Sequence, residues 1–392
     1  MTTAGAAPTR APLMRTPTVT VAKPPKDRIR VLVTDDTAII RRMVTDVLGE
    51  YDDIEVVGTA ANGELALAAI ERLKPDVVTL DVEMPVLDGL QTLLRLRTVR
   101  KDLPVIMFSS LTEAGASATL DALAHGANDY VMKPSATRNR AEALDAVRSS
   151  LIPLIRLWGR PGARRRAALP APAPKAAPTS TRRPRPVAPD RRPPLAVVIG
   201  VSTGGPDALA AMLPMLPRNL PVPVVIVQHM PPLFTRMLAD RLDQQSLLNV
   251  VEAADGMVLA PGTVYLAAGG RHLRLDQRRD GVVCVLDDSP PENSCRPSVD
   301  VTLRSALEVW GSRTLVVILT GMGQDGLHGA RALKEQGAHV VVQDENTSAV
   351  WGMPGAVAKG GYADRVLPLQ EIAPAIATSV ARRSVHLAGR NR

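Results

Sequence analysis

The sequence has few of the features that mark secreted, membrane-spanning or nucleic-acid-binding proteins. Its 392 residues include only two cysteines, Cys284 and Cys295, whose spacing fits neither a disulfide framework nor a zinc knuckle. Aromatic residues make up 2% of the chain, and no apolar run reaches the roughly 18 residues that a membrane span needs. The first 26 residues lack the apolar region of a signal peptide. We therefore expect a cytoplasmic protein that is not an integral membrane protein.

The positive charge of the chain is concentrated in a few segments. Residues 159–194 hold ten Lys and Arg, ten prolines and one acid, Asp190, while residues 1–28 and 382–392 together add nine basic residues. The formal net charge of +8 therefore belongs to these segments and leaves the rest of the chain acidic. Such a distribution favours solvated spacers over a basic folded surface, so we predict no nucleic-acid binding.

Length and composition predict two folded domains joined by a linker. A disordered N-terminal extension over residues 1–27 precedes a first domain over 28–150. A linker rich in Pro and Arg over 151–194 leads to a second domain over 195–381, which a basic tail over 382–392 follows.

Both domains alternate short apolar runs with amphipathic helical stretches, the pattern of parallel α/β sheets. The first domain has five such runs, which predicts an N-terminal doubly wound five-stranded parallel sheet. The second predicts a mainly parallel, doubly wound α/β domain with a hairpin over 271–286. The predicted strands of the first domain are 29–33, 55–58, 77–80, 105–108 and 130–132, and those of the second include 224–227, 264–267, 282–286, 315–319 and 339–342.

Three carboxylates follow strands of the first domain. Asp35 and Asp36 come after the first strand and Asp81 after the third, while Ser109 and Lys133 end the fourth and fifth. Carboxyl ends of parallel strands lie together, so these side chains converge. Clustered acids repel one another unless a cation neutralises them, and Mg²⁺ prefers oxygen ligands. The pattern predicts a site for a phosphoryl group carried on a carboxylate.

These residues resemble the response-regulator receiver domain of two-component systems, a flavodoxin-like fold. The motifs that carry the resemblance are Asp35-Asp36, Leu80-Asp81-Val-Glu-Met-Pro85, Asp88-Gly89, Ser109 and Lys133-Pro134. The resemblance implies that Asp81 accepts the phosphoryl group and that Asp35, Asp36 and Asp81 hold Mg²⁺ with the backbone carbonyl of Glu83. It also implies three switch residues that respond to phosphorylation: Ser109, Tyr130 and Lys133.

The second domain opens with a Gly200-x-Ser202-x-Gly204 pattern after an apolar run, with Pro206 placed to begin a helix. By itself this strand–turn–helix leaves two interpretations open. Ser202 is an activated nucleophile, or the glycine turn cradles a phosphate at the helix N-terminus.

Two further strand-end loops favour the nucleophile. His229 follows the strand over 224–227, and Asp325 lies in the glycine-rich loop after the strand over 315–319. Ser202, His229 and Asp325 thus meet at one sheet edge as nucleophile, base and orienting acid. Their order along the chain differs from that of the α/β-hydrolase, chymotrypsin-like and subtilisin-like families. A further motif, Arg296-Pro-Ser-Val-Asp300, predicts a turn in which Ser298 caps a helix over 301–309.

These residues resemble the catalytic domain of the chemotaxis protein-glutamate methylesterases, the CheB family. The motifs are Ile199-Gly-Val-Ser-Thr-Gly-Gly-Pro206, Val227-Gln-His-Met-Pro231, Arg296-Pro-Ser-Val-Asp300 and Leu319-Thr-Gly-Met-Gly-Gln-Asp-Gly326. The resemblance implies a hydrolase that cleaves glutamate γ-methyl esters and deamidates glutamines on methyl-accepting chemoreceptors, without a cofactor for the ester chemistry. It also implies that the backbone N–H groups of Thr203 and Met322 stabilise the oxyanion.

A receiver joined to this catalytic domain implies activation through a chemotaxis histidine kinase, which gives sensory adaptation. Two other functions are weighed against this one. A signalling adaptor would keep the fold and act by binding, but none of Ser202, His229 and Asp325 is missing. A transcription regulator would need a helix-turn-helix or a basic folded surface after the linker, where a Ser-His-Asp domain stands instead.

Overall fold

The structure is a computed structural model that describes residues 28–134, 139–160, 190 and 192–388. The predicted N-terminal extension, most of the predicted linker and the end of the basic tail lie outside the described residues. The first unit is a parallel five-stranded sheet in the order β2-β1-β3-β4-β5. Its strands are β1 Ile29–Thr34, β2 Ile54–Ala60, β3 Val77–Asp81, β4 Val105–Ser109 and β5 Asp129–Met132.

Five helices connect and cover these strands. They are α1 Ala38–Gly49, α2 Gly63–Leu73, α3 Gly89–Val99, α4 Glu113–Ala124 and α5 Arg140–Trp158. Four of them begin at a polar residue whose side chain accepts a hydrogen bond from the first turn: Asn62, Asp88, Thr112 and Asn139. Helix α5 ends at Trp158, eight residues after the predicted end of the first domain at residue 150, and the domain boundaries stay a prediction.

The second unit is built on a parallel seven-stranded sheet in the order β14-β13-β12-β6-β7-β9-β8, with a separate antiparallel hairpin, β10–β11. Its strands are β6 Ala196–Val201, β7 Val224–Gln228, β8 Asn249–Glu252, β9 Thr263–Leu266, β10 His272–Arg278, β11 Gly281–Asp287, β12 Thr314–Ile318, β13 His339–Gln343 and β14 Arg365–Leu367. Its helices are α6 Gly205–Met212, α7 Phe234–Gln245, α8 Val299–Trp310, α9 Leu327–Glu335, α10 Met353–Lys359 and α11 Leu369–Ala388.

The predicted fold class is confirmed in both units, including the hairpin. Strands β6, β7 and β12 are buried along their whole length because helices cover both faces of the sheet, so they appear in sequence as unbroken apolar runs. The two edge strands, β8 and β14, were not predicted. They are short and partly exposed, so neither carries that signal. No helix of the described residues is long and apolar enough to cross a membrane.

The two units contact each other through α4 and β5 of the first and α6 and α7 of the second. The rings of Tyr130 and Phe234 stack with their centroids 5.0 Å apart and their planes within 7°. Beside them, Arg241 donates to Asp121 at 2.9 Å across the interface. The aromatic pair lies within a buried apolar core that both units share, so it anchors their packing.

Replacing Tyr130 with Ala should loosen this interface. The stack contributes about 0.5–1.5 kcal/mol beyond the area that it buries, and the truncation also removes apolar contact. We expect the backbone amides of α4 and α7 to exchange with deuterium faster, as measured by mass spectrometry. The control is Tyr51→Ala, because the Tyr51 ring packs under Arg156 of α5 instead of at the interface. Equal exchange at α7 in both variants would contradict the prediction.

Candidate active site

Ser202 lies in the tight turn between β6 and α6. Gly204 adopts a left-handed conformation with φ of 75°, which a residue with a side chain rarely takes. A side chain at Gly205 would meet the Gln228 amide oxygen at 1.9 Å, so only glycine fits there. The Gln228 amide nitrogen in turn donates to the Ser202 carbonyl at 3.0 Å, and the Ser202 N–H donates to the Thr320 carbonyl at 3.0 Å. The serine backbone is therefore fixed by both neighbouring strand ends.

His229 follows β7 directly and lies beside this turn, because β6 and β7 are paired neighbours. Its backbone N–H donates to the Val201 carbonyl at 3.3 Å, and its ring Nε2 lies 2.8 Å from Asp325 Oδ2. A carboxylate only accepts hydrogen bonds, so Nε2 carries a proton and Nδ1 holds the free lone pair of the neutral ring. Any proton that His229 takes from a nucleophile must therefore go to Nδ1.

The Asp325 carboxylate is buried and holds five hydrogen bonds in addition to that of His229. The donors are Ser298 Oγ at 2.9 Å, Asn293 Nδ2 at 2.9 Å, and the backbone N–H groups of Val299 at 2.7 Å, Asp300 at 3.1 Å and Gly326 at 3.0 Å. Two of these N–H groups belong to the first turn of α8, where the helix dipole also favours an anion. The acid is thus held in one orientation and kept charged.

Sequence reasoning missed two positioning residues in this network. Ser298 does precede α8, as predicted, but its hydroxyl makes no capping bond and donates to Asp325 instead. Asn293 lies in a turn where both it and Ser294 have positive φ, 53° and 62°. Asparagine tolerates that conformation better than most residues, and the Asn-Ser pair between two polar segments is the only signal that marked the turn.

The same turn brings a thiol to the site. Cys295 Sγ lies 3.5 Å from Nδ1 of His229, whereas Asp325 contacts the other ring nitrogen, Nε2. This cysteine is half-buried, whereas Cys284 is buried within β11. The spacing of the two cysteines gave no sign of this contact with His229, which only the tertiary structure supplies.

Thr203 and Met322 flank the serine. The loop after β12 lies so close to it that a side chain at Gly321 would meet Ser202 Cβ at 2.9 Å. Among the described residues, the backbone N–H groups of Thr203 and Met322 donate to no acceptor. Free N–H groups next to a nucleophile are what an oxyanion requires.

A cleft of about 960 Å³ opens beside this site, between the two units. Ser202, Thr203 and His229 line one side, and Asp129 and Tyr130 of β5 line the other. The sheet edge that carries the serine therefore faces the first unit instead of open solvent.

The acid cluster of the first unit assembles as predicted from strand order. Oxygen atoms of Asp35, Asp36 and Asp81 lie within 4.8 Å of one another, and Lys133 Nζ lies 2.9 Å from Asp35 Oδ2 and 2.7 Å from Asp81 Oδ2. Asp35 and Asp81 are each 1% exposed. Three converging carboxylates are hard oxygen donors, so the cluster fits Mg²⁺.

The remaining predicted switch residues point away from the cluster. The Ser109 hydroxyl lies at α4, where Thr119 Oγ1 donates to it at 2.7 Å. Tyr130 faces the second unit through its stack on Phe234.

Glu83, the predicted backbone ligand, lies beside the cluster. Its side chain is exposed and accepts a hydrogen bond from Ser110 at 3.2 Å, while its backbone N–H donates to Asp81 Oδ1 at 3.2 Å.

Comparison with known proteins identifies the family of each unit. Residues 197–376 match the family described as CheB methylesterase, and residues 31–145 match the response regulator receiver domain. A protein-glutamate methylesterase/protein-glutamine glutaminase of Nocardioides is 50% identical over 91% of this chain and 96% of its own. The chain belongs to the CheB methylesterase family.

Two other similar proteins are also described as methylesterases. A protein-glutamate methylesterase/protein-glutamine glutaminase of Trichodesmium erythraeum is 46% identical over 89% of this chain and 98% of its own. The crystal structure of the Thermotoga maritima CheB methylesterase catalytic domain is 49% identical and covers 47% of this chain and 98% of its own, with a TM-score of 0.46.

In this CheB family member, the pKa values at the site follow from burial and the hydrogen-bond network. Burial would raise the pKa of Asp325, but its bonds from His229 and from the backbone of α8 outweigh that effect and lower it. Burial would lower the pKa of His229, but Asp325 and Cys295 outweigh it and raise this pKa to about 9. The ion pair of imidazolium and carboxylate is therefore the stable form at neutral pH.

The pKa of His229 should fall when Asp325 is replaced by Asn. The neutral amide removes the main interaction that favours imidazolium, so burial counts for more and the pKa falls from about 9. Titration of the imidazole resonances by nuclear magnetic resonance measures this directly. The His339 resonances provide the internal reference, because His339 begins β13 at the opposite end of the sheet. A midpoint that stays near 9 in the variant would contradict this account.

Proposed function

We propose that this protein is a phosphorylation-activated esterase and amidase of chemosensory adaptation. It hydrolyses glutamate γ-methyl esters and deamidates glutamines on methyl-accepting chemoreceptors. The observation that carries the proposal is the assembly of Ser202, His229 and Asp325 at one sheet edge, with Asp325 hydrogen-bonded to His229 at 2.8 Å. The relatives' names combine the same two activities.

The proposed reaction is acyl transfer through Ser202. The hydroxyl oxygen attacks the γ-carbonyl carbon while its proton passes to Nδ1 of His229. The N–H groups of Thr203 and Met322 stabilise the oxyanion, and each lowers the activation barrier by about 3–4 kcal/mol. The C–O bond to the methoxy group then breaks, and Nδ1 returns the proton to form methanol. Water attacks the acyl-enzyme in the same way and releases the glutamate carboxylate and the free serine.

Asp325 holds the His229 ring in the tautomer that these reaction steps require, and it stabilises the imidazolium that forms. Because the pKa of His229 is raised to about 9, the neutral imidazole becomes more abundant as the pH rises towards that value. The esterase chemistry uses only groups of the protein, without a cofactor.

Control by the first unit is supported by the position of the cleft. A receptor helix would have to reach Ser202 through the space that β5 and α4 occupy, where Asp129 and Thr203 line the same cleft. Asp129 is buried, and burial raises its pKa to about 6, because the hydrogen bond from the Tyr130 amide offsets the loss of hydration only in part. The arrangement in which the first unit covers Ser202 thus costs free energy because it buries the Asp129 carboxyl group. A small change in free energy is then enough to separate the units.

That signal is phosphorylation of Asp81 by a chemotaxis histidine kinase. Asp35, Asp36 and Asp81, with the Glu83 carbonyl, would hold Mg²⁺, which supplies positive charge for phosphoryl transfer to the carboxylate. Lys133, which now contacts both Asp35 and Asp81, exchanges its contact with the Asp81 carboxylate for one with the phosphoryl group when Asp81 is phosphorylated. Ser109 and Tyr130 then turn from α4 and Phe234, which weakens the interface that covers Ser202. The protein acts in the cytoplasm on the receptors' cytoplasmic helices.

Replacing Ser202 with Ala should lower methanol release from methyl-labelled receptor membranes by at least about 10³-fold, because the nucleophile is lost. Cys295→Ala is the matched control, since the Cys295 thiol is a second candidate nucleophile and lies 3.5 Å from Nδ1 of His229. If Cys295→Ala abolishes methanol release and Ser202→Ala does not, the thiol is the nucleophile and the assignment of Ser202 is wrong.

Replacing Asp81 with Asn should remove stimulation by a small phosphodonor in the presence of Mg²⁺, because the amide cannot form an acyl phosphate. The measurement is the ratio of methanol release with and without the phosphodonor. Asp102→Asn provides the control, because Asp102 is an exposed acid of the same unit with an 83% exposed side chain. A stimulated rate that persists in Asp81→Asn would refute the switch assignment.

A further inference from the structure

We propose that His229 and Cys295 form a binding site for a thiophilic divalent cation, with Zn²⁺ as the fitting ion, and that its occupation blocks the esterase. The binding part of this inference is independent of the proposed function, and the inhibition part rests on it. The ligand atoms are Nδ1 of His229 and Sγ of Cys295, which lie 3.5 Å apart.

The separation of the two atoms matches a zinc chelate. Zinc binds histidine nitrogen at about 2.0–2.1 Å and cysteine sulfur at about 2.3 Å in tetrahedral sites. With those bond lengths, a nitrogen–sulfur distance of 3.5 Å corresponds to an angle at the metal of about 107°, close to the tetrahedral value. The separation of the two ligand atoms therefore needs little adjustment to hold the ion.

The ring of His229 is already oriented as in a metal site. Metal-binding histidines usually donate their other ring N–H to a carboxylate, which fixes the tautomer and raises the basicity of the ligand nitrogen. Asp325 performs this role at Nε2, at 2.8 Å, and is itself held by five hydrogen bonds. The outer shell of the proposed site is thus complete without any movement.

Access and ligand chemistry also favour the ion. His229 lines the cleft and Cys295 is only half-buried, so an ion can reach the two ligand atoms from solvent. Binding replaces the Cys295 S–H bond and, in the imidazolium form, the Nδ1–H bond of His229 by bonds to the metal, and these protons are released to solvent. A thiolate and an imidazole select Zn²⁺ and similar soft cations, whereas the carboxylate cluster around Asp81 selects Mg²⁺.

Occupation of this site is incompatible with the proposed catalysis. Nδ1 is the only ring nitrogen that can take the Ser202 proton, because Nε2 is committed to Asp325. A metal on Nδ1 uses that lone pair and leaves Ser202 without a base. Zn²⁺ would thus act as a reversible inhibitor of both the ester and the amide reactions.

Binding is tested on the full, metal-free chain with Co²⁺ as a spectroscopic probe for Zn²⁺, in saturating Mg²⁺ to occupy the carboxylate cluster. We expect a near-ultraviolet charge-transfer absorption of a cobalt–thiolate bond that Zn²⁺ abolishes. It should be present in the wild type and in Cys284→Ala, the control for a buried thiol outside the site. It should be absent in Cys295→Ala and Cys295→Ser, whose folding is checked by circular dichroism.

Inhibition is tested by titrating Zn²⁺ into the methanol-release assay, with each variant normalised to its own metal-free rate. The Zn²⁺ concentration that halves methanol release should rise at least tenfold in Cys295→Ala and Cys295→Ser and change less than twofold in Cys284→Ala. A chelator should reverse the inhibition. Absence of the thiolate absorption in the wild type, or its persistence in both Cys295 variants, overturns the proposed site. A protein that shows the absorption but releases no methanol would keep the site and refute the proposed function.

Discussion

The buried carboxylate of Asp325 is the constraint on which the second unit's site depends. It terminates a glycine-rich loop after β12, accepts the first N–H groups of α8 and fixes the ring of His229. A buried charge is stable only when hydrogen bonds replace its hydration, so the donors around it must all be in place. One acid therefore ties β12, α8 and the turn at Asn293 to the strand end that carries the histidine.

The same logic of burial links the site to the other unit. Tyr130 and Phe234 supply the apolar part of the interface, whereas Asp129 brings an acid whose pKa burial raises to about 6. Apolar contact holds the units together, and the buried acid limits how tightly they are held. In the proposed switch, β5 connects the two sites, since Tyr130 of the interface lies within this strand and Lys133 of the cluster directly follows it.

Strong local patterns made most of the fold predictable. Strands such as β6 and β12 are buried on both faces and give unbroken apolar runs, and helices such as α2 begin at a polar cap. The edge strands β8 and β14 lack those patterns because half of their side chains face solvent. Ser202 and His229 could be found because each directly follows a strong strand, and Asp325 because it lies in the loop after a third. Strand ends of a parallel sheet converge.

The sequence alone therefore determined which strand ends carry chemistry, because periodicity and position along a strand are local properties. The tertiary structure decided which groups touch. Asn293, Ser298 and Cys295 reach Asp325 and His229 from a turn and a helix start whose local patterns indicate only a bend in the chain. Packing of the hairpin and α8 against the sheet sets those distances, and packing of α4 against α6 and α7 places β5 at the cleft beside Ser202. Contacts between segments distant along the chain depend on the packed core, which no local pattern encodes.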